Sequence, residues 1–508
     1  MAFSAQPQIN SHKTDYLPFQ QKETWWVLDT AGVTSTSPVI PHAVNMILET
    51  DGEAEYLRTR PGFVPAPSYP ALSADLNQIR QLEVDGSNTL WYSAFVSGSW
   101  RIYYQISPAA SGVLAATLGA FPPDFTFFRN IAGVTFLVAC APGWGGIVIN
   151  TQTLVVTTIT DPDYNINFGY PVALDNYIFV VRVGTSDIYQ SNFDDPLGWT
   201  AGNFITADLT PGTILHLTRI KNYLAVFKTG GVEFFYNAGN PSGSVLAQYE
   251  SFFKEIRISN TPSPAVFPKY NEKVFFVGAD SLNKVGIYSV DTTGVELFTS
   301  LPLWQKSLFV SGNANRIFFF ELLGVPYIQV GNVNITGIYN LITKAPLYLT
   351  LPNNSSFLNA YFWQGYWYFL DNNGSRASPR VPLWVRTTGL GHQDYDNVNI
   401  NYIVHTGEVT HGTYFTKTCS RCVIDVIPFE NYPNPVTLSW NTYGTDSASF
   451  NTTERTFSSF SLEASQPSRA VLMLKRLGRY RKRFYKFTFQ GALFKLKGAL
   501  FDIDIGTN

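Results

Sequence analysis

The chain has 508 residues, with 39 Phe, 28 Tyr and 11 Trp against 35 Lys and Arg and 37 Asp and Glu, so aromatic residues outnumber charged ones. Charged residues make up 14% of the chain and hydrophobic ones 45%, where a soluble domain usually carries about 25% charge. That balance excludes a disordered chain, which is poor in aromatics, and a coiled coil or long exposed helix, which needs charged faces; the formal net charge of −2 singles out no partner.

Residues 1–70 begin Met-Ala-Phe-Ser-Ala-Gln-Pro, with no basic region leading into an apolar run, so no secretory signal is expected. The stretch ends in Pro61, Pro65, Pro67 and Pro70. Proline fixes φ and removes a backbone donor, so the region reads as an extended N-terminal arm with one or two strands.

Residues 71–390 carry strand signals throughout. Leu90–Val96, Tyr177–Val183 and Lys273–Val277 are aromatic and β-branched runs bounded by Gly, Asn, Asp or Pro. Apolar spacing of the helical kind is hard to find. An aromatic strand starts near Leu90, Thr135, Tyr177, Tyr223, Val274, Arg316 and Tyr366, at intervals of 42 to 51 residues. A second strand follows closely, as at Trp100–Ile106 and Val232–Tyr236. A period of about 40–50 residues holding several strands is the mark of a propeller blade. One four-stranded blade cannot bury both of its faces, whereas blades packed around an axis can. The reading is an all-β protein with a β-propeller of six or seven blades; stacked β-sandwiches are the alternative. Within this region 130–160 has no charge, but Pro142, Gly143, Gly145 and Gly146 break it into pieces far shorter than the roughly 20 residues of a spanning helix. No membrane-spanning segment is expected.

Residues 391–508, after the glycine-punctuated Thr387–His392, hold strand signals at Val398–Val404, Cys422–Ile427, Val436–Trp440, Phe457–Leu462, Val471–Leu474, Phe484–Phe489 and Gly498–Ile505. So many strands in so short a stretch predict a β-sandwich-like C-terminal domain. The three cysteines, Cys140, Cys419 and Cys422, cannot form a disulfide framework, which suits a reducing compartment. His405, His411, Cys419 and Cys422 are weak candidates for zinc, because a Cys-x-x-Cys supplies half a site. Their spacing matches no common zinc pattern, so free thiols and surface imidazoles are preferred, and no metal or cofactor is expected. The basic run Lys475, Arg476, Arg479, Arg481, Lys482, Arg483 and Lys486 contains no acidic residue. Basic and aromatic positions alternate from Tyr480 to Phe487, which predicts one strand there. Clustered basic residues neutralise phosphates without reading sequence. The competing reading is a subunit-facing strand whose arginines pair with the acidic remainder of the chain.

Several absences narrow the function. No Gly-Lys dipeptide, His-Glu-x-x-His, Gly-x-Ser-x-Gly or Gly-x-Gly-x-x-Gly occurs. Ser191–Trp199 loosely matches one Asp-box turn of sialidase-type propellers, but with the wrong spacing and only once. A glycosidase of that kind would need several arginines, a Tyr nucleophile and a carboxylate in one pocket.

Four stretches, in order along the chain, resemble the packaged-DNA stabilisation or tail nozzle (head-completion) proteins of short-tailed bacteriophages, the podoviruses. They are Asn45–Gly52 leading to Leu57-Arg-Thr-Arg60-Pro61-Gly62-Phe63; Ser191 through Asp195 and Pro196 to Trp199, with Phe204–Asp208; Ile220 through Glu233 to Gly239; and Leu474–Arg481, which contains Gly478. The resemblance implies a non-enzymatic propeller subunit, six copies in a ring below the portal and its adaptor. Double-stranded DNA would pass through the lumen without sequence specificity. Tail needle, plug, fibre or tailspike proteins would be neighbours. The location implied is the virion tail, assembled in the host cytoplasm. On this reading the seven basic residues from Lys475 to Lys486 are candidates for the DNA channel or a subunit interface. Arg60, Pro61, Gly62, Phe63, Trp199, Glu233, Gly239 and Gly478 are family-motif positions with structural roles. The alternative is a tail-associated propeller that binds or hydrolyses carbohydrate.

Overall fold

A computed structural model describes residues 79–258 apart from 97, 108–109 and 111, then 267–300, 316–331, 336–347 and 357–371, and individual strands elsewhere between 11 and 505. The fold is all-β and its larger part is a β-propeller. Seven antiparallel sheets among the described residues are its blades. Blade 1 runs Ile79–Val84, Leu90–Val96, Ser99–Gln105 and Val113–Gly119. Blade 2 runs Asp124–Arg129, Thr135–Ala141, Gly145–Asn150 and Val156–Thr158. Blade 3 runs Phe168–Leu174, Tyr177–Arg182, Asp187–Asn192 and Asp195–Thr206. Blade 4 runs Ile214–Ile220, Tyr223–Lys228, Gly231–Asn237 and Leu246–Glu255. Blade 5 has five strands: Arg257–Ile258 and Lys269–Tyr270 both pair with Lys273–Ala279, followed by Val285–Asp291 and Gly294–Ser300. Blade 6 runs Arg316–Leu322, Val325–Gly331, Thr336–Asn340 and Pro346–Leu347.

Blade 7 closes the ring with a strand from the other end of the chain. Phe357–Trp363, Tyr366–Asp371 and Leu383–Thr387 pair in order, and Phe63–Pro65 adds the fourth, outer strand. Phe63 is buried in the core shared by blades 6 and 7, edge-on to Phe357 at 5.0 Å and Phe369 at 5.2 Å. Phe63–Pro65 is therefore the clasp of the propeller.

The repeat seen in the sequence is the second strand of each blade, with one exception: near Arg316 it marks the first strand of blade 6. Second strands lie between two neighbours in their own sheet and two neighbouring blades. They bury both faces, so they read as continuous apolar runs, as in Tyr223–Lys228, where every residue after Tyr223 is buried. Turns between strands use Asn and Asp where the backbone must go left-handed. Asp175 and Asn176, at φ 50° and 64°, make the two-residue loop between the paired Leu174 and Tyr177, the geometry that two-residue hairpins favour.

Buried glutamines tie blades together. Gln81 in blade 1 donates to the Phe125 carbonyl at 2.7 Å and accepts from the Phe125 N–H at 2.8 Å in blade 2. Gln190 in blade 3 accepts from Ser244 Oγ and the Val245 N–H of blade 4, both at 2.9 Å. A buried amide must be partnered, and here the partner is the next blade.

The second part is a two-sheet sandwich. One sheet orders Ala470–Tyr480, Lys417–Pro428, Phe494–Ile505, Ala54–Thr59 and Met46–Asp51, with Ser11–Pro18 also pairing Phe494–Ile505. The other orders Ala43–Val44, Tyr402–His405, Arg483–Gln490 and Thr437–Gly444. Their inner faces share one core that includes Met46, Leu57, Tyr402, Cys422, Phe487, Phe494 and Phe501. The N-terminal strands are thus structural partners of the C-terminal ones. The expected strand at 457–462 lies outside the described residues.

Candidate functional site

Each blade lends its innermost strand, in blade 5 Lys269–Tyr270 and the residues before it, to one axial cavity of about 810 Å³. Four of its lining residues, one from each of blades 1 to 4, form a polar cluster: Arg80, Asp124, Tyr170 and His216. Arg80 comes from a bulge, where the pairing of blade 1 shifts between Ile79 and Gln81. A bulge re-aims a side chain. The Arg80 guanidinium meets Asp124 in two hydrogen bonds, Nε to Oδ1 at 2.5 Å and Nη2 to Oδ2 at 2.8 Å. Burial works against the Arg80 charge, but the attraction and hydrogen bonds of Asp124 outweigh it and raise its pKa.

Tyr170 also sits in a bulge, between Gly169 and Val172, at φ 53°. A non-glycine residue held there is strained, and such strain collects where the surroundings fix a side chain for a purpose. Burial, then the nearby Asp124 charge, push the Tyr170 phenol up to about 12. His216 stacks on Phe267 at 5.0 Å, stands edge-on to Tyr170 at 6.0 Å, and leaves its buried Nδ1 without a described partner. Burial, then the positive charge of Arg80, lower its pKa to about 3. It is therefore a neutral imidazole at ordinary pH. The cluster has no net charge, and its polar atoms converge from four blades.

Glu83 lies further along the blade 1 strand and also lines the cavity. Two effects compete at its carboxyl. Its side chain is exposed to the cavity, while the surrounding blades withhold bulk solvent; desolvation wins over the hydrogen bond from Gln81 and pushes the carboxyl up to about 7. None of these cavity residues stands out in the sequence, because each is a single polar residue in an ordinary strand.

The sequence candidates lie elsewhere. Lys475, Arg476 and Arg479 are on Ala470–Tyr480, and Arg483 and Lys486 on Arg483–Gln490. The single strand expected from Tyr480 to Phe487 is two strands, and they belong to opposite sheets of the sandwich. Arg481 and Lys482 lie between them, outside the described residues. Register sets Arg421 opposite Lys475 and His405 opposite Lys486. The basic run is therefore divided between the two sheets.

The cysteines are core residues. Cys419 and Cys422 are buried and reduced, between the sandwich sheets. Residues three apart on a regular strand would face opposite ways. A bulge between Cys419 and Arg421 brings both inward, opposite Ile503 and Phe501. Burial, then the neighbouring Cys419, raise the Cys422 thiol well above its usual range, the reverse of what a thiolate ligand needs. His405 pairs within the other sheet, and His411 lies outside the described residues. No group of three or more His, Cys, Asp or Glu suited to a metal occurs among the described residues.

The motif positions are scaffold. Arg60 is fully buried where the sandwich meets the clasp. Its Nε donates to Asn45 Oδ1 at 3.0 Å, its Nη1 to the Pro61 carbonyl at 3.0 Å, and its guanidinium lies 5.0 Å from the Phe63 ring. Its carbonyl accepts from Tyr402 Oη at 3.2 Å. Pro61 and Gly62 are buried beside it. Trp199 packs edge-on to Tyr164 at 5.1 Å and donates its backbone N–H to Asp161 at 3.0 Å. Glu233 makes a buried ion pair with Lys228 at 3.2 Å and accepts from the Thr210 N–H and hydroxyl at 2.8 and 2.7 Å. Gly239 sits in an exposed turn at φ 65°. Gly478 pairs opposite Cys419.

Among the described residues no helix is long and apolar enough to cross a membrane. No protein-family model matches the chain, and no curated protein matches it in sequence. Two solved structures are similar to it at 12% identity each. The AfRom2 CNH domain aligns over 64% of this chain and 98% of its own, with a TM-score of 0.38. A puromycin-hydrolysing peptidase from Mycobacterium tuberculosis aligns over 65% of this chain and 55% of its own, with a TM-score of 0.38. The chain thus spans about half of that peptidase, and at these scores neither likeness bears on function.

Proposed function

We propose that the chain is a structural subunit of a short-tailed phage tail, the nozzle that extends the portal and adaptor channel, retains the packaged genome and releases it on ejection. The observation that carries this reading is where the resembling stretches fall. Leu57–Phe63 joins sandwich to propeller. Trp199 holds the outer strand of blade 3, and Glu233 anchors the loop between blades 3 and 4. Gly478 lies in the sandwich. The first three link neighbouring parts of the fold, which suits a part that resists packaged DNA; Gly239 sits in an exposed turn.

Two further features support it. The axial cavity of about 810 Å³ lies within the roughly 300–1,000 Å³ of small-molecule sites, a space that a continuous duplex would overfill. A DNA path would therefore run between subunits in a ring of six, not through the propeller. The outer strands of four consecutive blades also leave large apolar side chains exposed: Val113 and Leu114, Val156, Phe204 and Phe253, each more than 40% accessible. Large exposed apolar patches mark interaction surfaces, and a ring would cover them. In this reading the basic strands face the channel or a neighbouring subunit, and the protein is not an enzyme. Its place is the virion, with portal adaptor above and needle, plug or fibre proteins below. The alternative is a propeller that binds or hydrolyses carbohydrate, which needs two carboxyl groups free to exchange protons; Asp124 is held by Arg80, while Glu83 and Asp175 line the same cavity without a described ion pair.

Native mass spectrometry and two-dimensional class averages, with and without portal and adaptor complexes, test the proposal. A six-fold ring with a central hole is expected. A monomer under every condition, unable to dock on portal complexes, refutes it. Phe204→Asp with Phe253→Asp should block the ring while leaving the melting temperature of the subunit unchanged.

A further inference from the structure

The charged residues of the axial cavity are mostly matched within the protein. Arg80 is paired with Asp124, Lys269 with Glu272 at 3.0 Å, and Arg219 donates to the Lys221 carbonyl at 2.7 Å. Glu83, like Arg129 and Asp175 of the same lining, has no charged partner among the described residues. The described donor to Glu83 is Gln81 Nε2 at 3.0 Å, a neutral amide that also serves the Phe125 carbonyl. No cationic side chain among the described residues pairs with it. The cavity that contains it has an aromatic wall, in which Trp367 lies 5.4 Å from Phe319 and 5.6 Å from Phe362, ring centre to ring centre.

We propose that the axial cavity binds a small organic amine, its ammonium group paired with Glu83 and its alkyl body seated against Phe319, Phe362 and Trp367. Glu83 is exposed to the cavity and held only by a neutral amide, so a cation brought by a ligand would find a carboxylate with no charged partner to displace. Aromatic faces attract cations and bury the methylenes beside them. The volume of about 810 Å³ lies within the roughly 300–1,000 Å³ of small-molecule sites. A calcium ion fits poorly, since it takes about six to eight oxygen ligands and Asp124 is already committed to Arg80. An anion would meet the Glu83 charge directly. This inference stands apart from the tail reading: it uses the propeller axis alone.

The pairing has a pH signature. Groups on the elements packed around Glu83 are Tyr92 in its own blade, Asp124 and Arg129 in blade 2 and Tyr361 in blade 7; across the cavity stand Asp175, His216, Arg219 and Lys269. Among them Asp124 is paired with Arg80, and His216, held near 3, stays neutral. Glu83 therefore dominates titration near neutrality. With its pKa at about 7, the ionised fraction falls about tenfold between about pH 8 and about pH 6. Amine affinity should fall with it.

Calorimetric titration of the full chain with butylammonium and 1,4-diaminobutane tests this, with 1-butanol as the neutral isostere. Expected results are saturable one-site binding of the amines near pH 8, about tenfold weaker binding near pH 6, and none for butanol. Glu83→Gln should abolish binding while Glu296→Gln, on the outside of blade 5, preserves it. Phe362→Ala should weaken it severalfold. Absence of amine binding near pH 8, equal binding of butanol, or pH-independent affinity overturns the proposal. Should Glu83→Gln fail to fold, the pH arm on the unaltered protein decides.

Discussion

Removing the buried charge pair of blade 4 should expose how the propeller holds adjacent blades. Lys228 and Glu233 are paired at 3.2 Å with both side chains almost wholly buried. Lys228 Nζ also donates to the Ala207 carbonyl at 2.6 Å and to the Thr210 carbonyl. Glu233 accepts from Thr210 twice and from Gln248 Nε2 at 2.7 Å. The pair thus pins residues 207–210, which cross from blade 3 to blade 4. Breaking a buried pair by removing one partner costs about 3–5 kcal/mol, because the remaining charge stays dry and uncompensated. Glu233→Gln removes the charge and turns an NH₂ toward donors already present, so it should fall at the upper end. Lys228→Met leaves Glu233 with its Thr210 and Gln248 donors and should fall at the lower end. Replacing both residues would be near neutral in a purely electrostatic pair. Here the double variant also strands two carbonyls and the Thr210 donors, at about 1–3 kcal/mol for each buried group left unsatisfied. The double loss should therefore be smaller than the sum of the singles yet remain substantial. A protein of two packed parts need not unfold in one step, so the local readout is hydrogen exchange at the Thr210 and Gly231 amides, with melting temperature as a second measure. Unchanged exchange there in both single variants would refute the assigned role.

Further consequences can be checked in the same protein. Phe63→Ala removes the aromatic anchor of the clasp and should cost about 3–5 kcal/mol; limited proteolysis should then cut near blade 7 before other blades. The folded state holds His216 near 3, against about 6.5 when unfolded. Its contribution is full above about 6.5 and is lost as pH falls toward 3, so His216→Phe should lower the pH of acid unfolding. The thiols of Cys140, Cys419 and Cys422 are all buried. They should react with a chromogenic disulfide only after denaturation, and zinc or a chelator should leave the melting temperature unchanged.

The propeller was legible because its period is physical. A second strand buried on both faces must be apolar along its length, and six such strands, with the first strand of blade 6 as a seventh run, recur at blade spacing. The clasp was not legible. Phe63–Pro65 is three residues long and pairs with Leu383–Thr387, more than 300 positions away, and local composition carries no record of a distant partner. A similar limit applied at the C-terminus, where alternating residue types ran through Tyr480 to Phe487 and hid the change of sheet between Ala470–Tyr480 and Arg483–Gln490. Free thiols are the preferred reading of the Cys-x-x-Cys, but its spacing carries no sign of the bulge that turns both into a hydrophobic core.

The axial cluster shows what signal was present and unused. Arg80, Asp124, Tyr170 and His216 stand 44, 46 and 46 residues apart, one blade period each. In a ring of repeats, residues at the same phase of successive units meet at the axis, however far apart they are in the chain. A polar residue at that phase in four successive blades is therefore a cluster, although each alone looks like a chance surface position. Glu83 follows from the same rule, three residues along the first of these strands. It lines the cavity as Arg80 does, but no cation of another blade meets it. The phase that locates the ion pair of Arg80 and Asp124 thus also locates a carboxyl that lacks one.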